Sequence, residues 1–134
     1  MACVPTCVSR LVPAGSLFRL FCMPDKKLAA MTQAEIDDIS HKIGVKISAK
    51  PGEKLWHRTD TVDYVIVLQG RITLHLDDGD VELGPNDVVI QRGTHHAWSN
   101  QTGETAVAVC VMIGADPLGI QAPKPALDRL MVNV

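Results

Sequence analysis

The stretch that decides the reading is Gly52 to Gly70, GEKLWHRTDTVDYVIVLQG. Side chains two apart on an extended chain face the same side. His57, Thr59 and Asp63 therefore look into one space, while Arg58 and Asp60 look away. A strongly β-prone run follows from Asp63 to Leu68 and ends at Gly70. A second polar cluster, His95-His96-Ala97-Trp98-Ser99-Asn100, lies further on. The question the sequence poses is whether the two clusters meet around a metal.

Outward from this stretch, the period of the apolar residues is two. Ile72, Leu74 and Leu76 alternate with Arg71, Thr73 and His75. Asp77-Asp78-Gly79-Asp80 is a turn signal, and Gly84-Pro85-Asn86 is another. Short strands are expected at 81–83, 87–91 and 95–99, and a long apolar one at 105–113. Val45 to Ser48 also alternates. Upstream, Ser16 to Cys22 reads as a strand with Leu17, Arg19 and Phe21 on one face. Residues 26–43 read as helical. Thr32 and Glu35 have the spacing of a capping box, and Ile36, Ile39 and Ile43 form one apolar stripe. Many short strands between glycine-rich turns argue for an all-β sandwich or small barrel, with one short helix near the N-terminus.

The chain of 134 residues is expected to form a single domain. Its core barrel should run from about 45 to 113, with a strand and helix over 16–43 and a C-terminal strap over 114–134. A net charge of −2 gives no electrostatic reason to expect nucleic acid or an anionic membrane as partner. No apolar run approaches the ~20 residues of a membrane helix, and a leader with a basic start is missing, so a cytoplasmic protein is expected. The four cysteines lack the close pairing of a zinc site, and free thiols in a reducing compartment are expected.

The two polar clusters resemble the paired motifs of the cupin superfamily. In the first motif Gly52 stands at the opening, with four residues before His57 where five are usual. Thr59 occupies the place of the usual second histidine, Asp63 that of the usual glutamate, and Gly70 closes the motif. In the second motif Gly93, His96 and Asn100 match in register, and Gln91 replaces a proline. The resemblance implies a cupin jelly-roll barrel (a double-stranded β-helix). It also implies one group of small single-domain cupins, some from fungal secondary-metabolite pathways.

Carried onto these positions, the resemblance implies catalytic roles for His57, His96 and Asp63. The same three would be the metal ligands, a 2-His-1-carboxylate set suited to divalent iron, manganese, nickel or zinc. A metal-free polar pocket is the alternative, because Thr59 is a poor ligand and Asp63 has a shorter reach than glutamate. Thr59, Trp98 and Asn100 are expected to line the pocket. His95, out of phase with His96, is read as a surface or interface residue, and His75 as facing solvent. Trp56 is read as packing, and Tyr64 as buried or at a subunit contact. The implied function is a lyase or isomerase that decarboxylates, dehydrates or cyclises a β-keto or polyketide-like acid. A non-haem metal-dependent oxygenase and a non-catalytic small-molecule binder are the alternatives. The partner is thus a small organic acid, and a homodimer through the outer faces of Ile66 and Leu68 is expected.

Overall fold

The structure is a computed structural model that describes residues 15–25, 31–43, 45 and 47–117, the side chains of residues 42 and 43 excepted. It consists of seven strands and one helix in these residues. The strands are β1 (Ser16–Met23), β2 (Thr61–Gln69), β3 (Ile72–Leu76), β4 (Gly79–Leu83), β5 (Val88–Arg92), β6 (His96–Ser99) and β7 (Ala106–Gly114). They form a four-stranded antiparallel sheet in the order β1-β7-β2-β5 and a three-stranded one in the order β4-β3-β6. The expected all-β fold is what forms, as two facing sheets whose ladders are not joined into a closed barrel among the described residues.

Alternation explains why these sheets face each other. Leu17, Val65, Val67, Ala106, Ala108, Cys110 and Met112 from the large sheet and Ile72, Leu74 and Leu83 from the small one form a single buried cluster. Each position follows its neighbour at a spacing of two, so one face of each strand is taken out of water. The turns carry the residues their geometry needs. Asn86 adopts φ 73° in the turn before β5, a left-handed conformation that asparagine tolerates. Gly70, at φ 73°, has no room for a side chain. A Cβ there would lie 2.8 Å from the Cα of Ala106 and 2.9 Å from the carbonyl oxygen of Thr105.

The helix α1 (Gln33–Ile43) begins at the expected capping box. The Thr32 N–H donates to Glu35 Oε2 at 2.8 Å, and the Glu35 N–H donates to Thr32 Oγ1 at 3.3 Å. The helical reading of residues 26–30 lies outside the described residues. Ile36 packs with Ile47 and Ala49 into a second small core, edged by Met31, Ile39 and Leu55. The alternation of 45–48 does not produce a strand at its described residues, 45, 47 and 48. Ser40 Oγ donates to the Val45 carbonyl and accepts from the Ile47 N–H at 3.0 Å, which ties this segment to the helix instead of to a ladder. Of the strap expected over 114–134, residues from 118 on lie outside the described residues. Cys22 is disulfide-bonded, which corrects the expectation of free thiols for that residue. Cysteine spacing says nothing about which residues the fold returns to one another. Cys110 is free and buried, and burial pushes its thiol up to about 12.

Candidate active site between the sheets

The two clusters meet. Residue 57 forms an isolated antiparallel bridge with residue 96. The His57 N–H donates to the His96 carbonyl at 2.9 Å, and the His96 N–H donates back to the His57 carbonyl at 3.1 Å. Here the chain extends the edge of the small sheet, then crosses into the large sheet at Thr61. The corner brings both imidazoles onto the inner side, with ring centroids 4.4 Å apart and a tilt of 54°.

Each ring is fixed by its own backbone. His57 Nδ1 donates to the Leu55 carbonyl at 2.9 Å, and His96 Nδ1 donates to the Thr94 carbonyl at 2.8 Å. A carbonyl only accepts, so Nδ1 carries the hydrogen in both rings and Nε2 keeps its lone pair. Desolvation by burial lowers both pKa values, that of His96 to about 4. The backbone bonds oppose the shift but do not reverse it. Both rings are therefore neutral at pH 7, with an unprotonated nitrogen available.

Asp63 lies on β2 in line with Thr61, and Thr59 precedes the strand on the same side, as the spacing of Thr59 and Asp63 expected. It is buried, and its Oδ1 has no hydrogen-bond partner. Burial raises its pKa. Thr61, His57, Thr59 and Arg19 hold it back in that order. The Thr61 hydroxyl also donates to Thr59 Oγ1 at 2.7 Å. Trp98 stands edge-on to His96 at 6.1 Å and packs against the main core. It is thus both wall and packing.

Asn100 is placed elsewhere. Its Nδ2 donates to the Met23 carbonyl at 2.8 Å and to the Glu104 carbonyl at 2.6 Å, and its Oδ1 accepts from the Thr102 N–H and hydroxyl. All its capacity goes into the β6–β7 connection and its tie to the end of β1.

His75 is a correction. It is buried rather than solvent-facing, with Nε2 2.7 Å from Ser99 Oγ and Nδ1 2.7 Å from Asp80 Oδ1. His95 is half-buried, bonds Asp77 at 2.8 Å and stacks on Trp56 at 4.7 Å. Tyr64 is exposed on the outer face. Two interior polar residues escaped the sequence reading. Gln91 is buried directly opposite Asp63 in the ladder, where the motif comparison registered only a lost proline. Arg19 sits opposite Cys110 with its Nε buried, and its charge reaches Asp63. The signal was there, since Arg19 is in phase with Leu17 and Phe21.

A divalent ion needs at least three of these donors together. His57 and His96 suit it, with Nδ1 held and Nε2 free. The third donor is not delivered. No group of three or more His, Cys, Asp or Glu side chains converges for a metal ion among the described residues. Asp63, one methylene shorter than glutamate, stays with its threonines. The residues present do not fit the three-ligand set.

The sequence profile of the cupin domain matches residues 45–112, half of the chain. The chain is 47% identical over 58 residues to phomopsin biosynthesis cluster protein C' of Diaporthe leptostromiformis, covering 42% of this chain and 31% of that protein. It is 41% identical over 64 residues to the cupin-domain-containing oxidoreductase srdD of Neurospora crassa, covering 46% of this chain and 33% of that one. It thus spans about a third of the length of these relatives. A Klebsiella pneumoniae protein with a double-stranded β-helix domain superposes with a TM-score of 0.50 at 16% identity, over 78% of this chain and 72% of that one. That likeness concerns the fold alone. With two facing sheets, paired motif histidines between them and a profile match across both motifs, the chain belongs to the cupin family.

Proposed function

We propose that this cupin is a small-molecule enzyme of secondary metabolism, a lyase or isomerase working by acid–base chemistry on an enolisable or β-keto acid. The observation that supports it is the pair of neutral imidazoles with free Nε2 atoms, His57 lying within electrostatic reach of a buried carboxyl that retains its proton more readily than usual. A general base wants an unprotonated nitrogen, and an enolate wants a hydrogen-bond donor in a desolvated place. His96 or His57 Nε2 takes the proton from the carbon beside the substrate carbonyl. The electron pair moves to the carbonyl oxygen, and the Asp63 carboxyl, when protonated, donates a hydrogen bond to it. The imidazolium then gives its proton to a β-hydroxyl, which leaves as water, to the oxygen of a second carbonyl that the enolate carbon attacks, or back to carbon at another position, which gives dehydration, cyclisation or isomerisation. In a β-keto acid Nε2 takes the carboxyl proton instead, the C–C bond to the resulting carboxylate breaks, carbon dioxide leaves, and the imidazolium returns that proton to the enolate carbon.

The test uses a panel of β-keto acids and 1,3-dicarbonyl compounds in D₂O, read by proton NMR. Exchange of the α-hydrogen or release of carbon dioxide is expected with the native chain. His57→Ala and His96→Ala should each slow it by about 10²–10⁴-fold while circular dichroism stays native. Unchanged rates in both variants would sink the reading.

A second reading is an oxygenase that depends on non-haem iron. It is favoured by the names of relatives such as the Neurospora oxidoreductase. Oxygen uptake with ferrous iron and the same panel separates the two readings. Uptake that His57→Ala abolishes supports the second.

A further inference from the structure

Gln91 is an interior polar group that the acid–base mechanism leaves unused. It lies on β5 directly opposite Asp63 on β2. Val89, two residues before it, faces Val65 and packs against the main core, so the Gln91 side chain starts towards the inside as well. Gln91 is 4% exposed and Asp63 5%. Polar groups buried this far are ordinarily bonded. Here Asp63 Oδ1 has no partner, and among the described residues no hydrogen bond holds the Gln91 amide. Asn100 is the contrast. Its amide is as deeply buried, and both its nitrogen and its oxygen are taken twice over. An amide that nothing holds is able to turn its NH2 to a ligand. Residues directly opposite in an antiparallel ladder have Cβ atoms about 4.5–5.5 Å apart. The ends of Gln91 and Asp63 are therefore close enough to meet at one ligand atom.

We propose that Gln91 is a second hydrogen-bond donor to the enolate oxygen, its NH2 completing beside Asp63 a seat for an oxygen anion on a planar carbon framework. The identity of that anion rests on the acid–base reading, whereas the seat itself rests on the β2–β5 ladder. The amide gives up no proton. It holds the charge that reaches the oxygen when Nε2 of His57 or His96 takes the proton from carbon. A donor set in advance where charge develops needs no reorganisation during the reaction. The amide also keeps its N–H at every pH, unlike the carboxyl beside it.

The experiment compares the native chain with Gln91→Met and Gln91→Leu. Both substitutions remove the amide and keep an apolar side chain of similar size. Urea melts should show both variants at least as stable as the native chain, because a buried amide without a partner is removed. The first readout is binding of 4-nitrophenolate at pH 7, followed by its absorbance. 4-Nitroanisole is the companion probe, with the same ring and an oxygen that cannot ionise. The variants should bind the phenolate about 10–100-fold more weakly and the anisole within about twofold of native. The second readout is α-proton exchange of a 1,3-dicarbonyl compound in D₂O. There kcat should fall about 10²–10³-fold with KM within about threefold of native. Ile90→Thr, on the exposed face of the same strand, should match the native chain in both readouts. A native chain that does not bind the phenolate would overturn the proposal, as would equal losses for phenolate and anisole, or variants less stable than native. Exchange undiminished in both variants would remove Gln91 from the reaction and leave the acid–base reading standing. A Gln91-dependent phenolate seat in a chain that exchanges no α-proton would do the reverse.

Discussion

The two faces of the small sheet hold two buried histidines with opposite fates. His96 on β6 points to the inside, where one nitrogen is tied to the Thr94 carbonyl and the other is left open. His75 on β3 points to the back, where Nε2 bonds Ser99 and the buried Nδ1 lies 2.7 Å from Asp80 Oδ1 without hydrogen-bond geometry. Both are at most 6% exposed, so burial does not distinguish them. What differs is what lies against the second nitrogen. That of His96 is open to a ligand and can exchange a proton with it, whereas that of His75 is shut in against the Asp80 carboxylate.

The sharpest way to break this comparison is to remove each ring in turn. His96→Leu should cost about 10²–10⁴-fold in α-proton exchange and little stability, since an apolar side chain suits the site. His75→Leu should leave turnover within about threefold of native. It should lower stability by about 1–3 kcal/mol, because Ser99 loses its partner in a buried place. Equal turnover losses in the two variants would remove the distinction.

The pH dependence of stability sharpens the comparison next. Unfolded His96 takes up a proton near its ordinary value of 6.5, whereas the folded ring does so only near about 4. The unfolded state therefore binds more protons in this window, and stability falls as the pH drops from about 6.5 towards 4. The contribution of His96 has a ceiling of about 3 kcal/mol. His57 is shifted in the same direction. Urea melts at pH 7 and pH 4.5 should differ less in His96→Leu than in the native chain, and an unchanged difference would count against a desolvated ring.

Asp63 gives the smaller and opposite effect. Its folded pKa is raised, so the native state binds the extra proton above the ordinary carboxylate value of 3.8. Its contribution to stability is present at low pH and is lost as the pH rises through the raised value. Asp63→Leu should therefore be at least as stable as the native chain at pH 7, measured by urea melting, while losing enolate stabilisation. A variant less stable at pH 7 would show that Asp63 is held as a carboxylate.

Much of this arrangement is legible from residue spacing. The phase of His57, Thr59 and Asp63 survives in the structure because a two-residue period is a property of the extended chain. The capping box of α1 survives for the same local reason. His75 was misjudged because alternation identifies two faces without saying that both are covered. Here the back of the small sheet is covered at His75, Ala97 and Ser99. Asn100 fits a motif position, but its role depends on Met23, far away in sequence. The distance from Asp63 to the histidines is likewise set by how two sheets meet, which no spacing within one strand encodes.

The central claim concerns which nitrogen carries the proton. Nitrogen-15 NMR of the histidine-labelled chain at pH 7 tests it most directly. The expected result is neutral rings for His57 and His96 with protonated Nδ1 and bare Nε2, His96 remaining so until the pH approaches about 4. An Nε2–H tautomer, or an imidazolium at pH 7, in either ring would contradict the account.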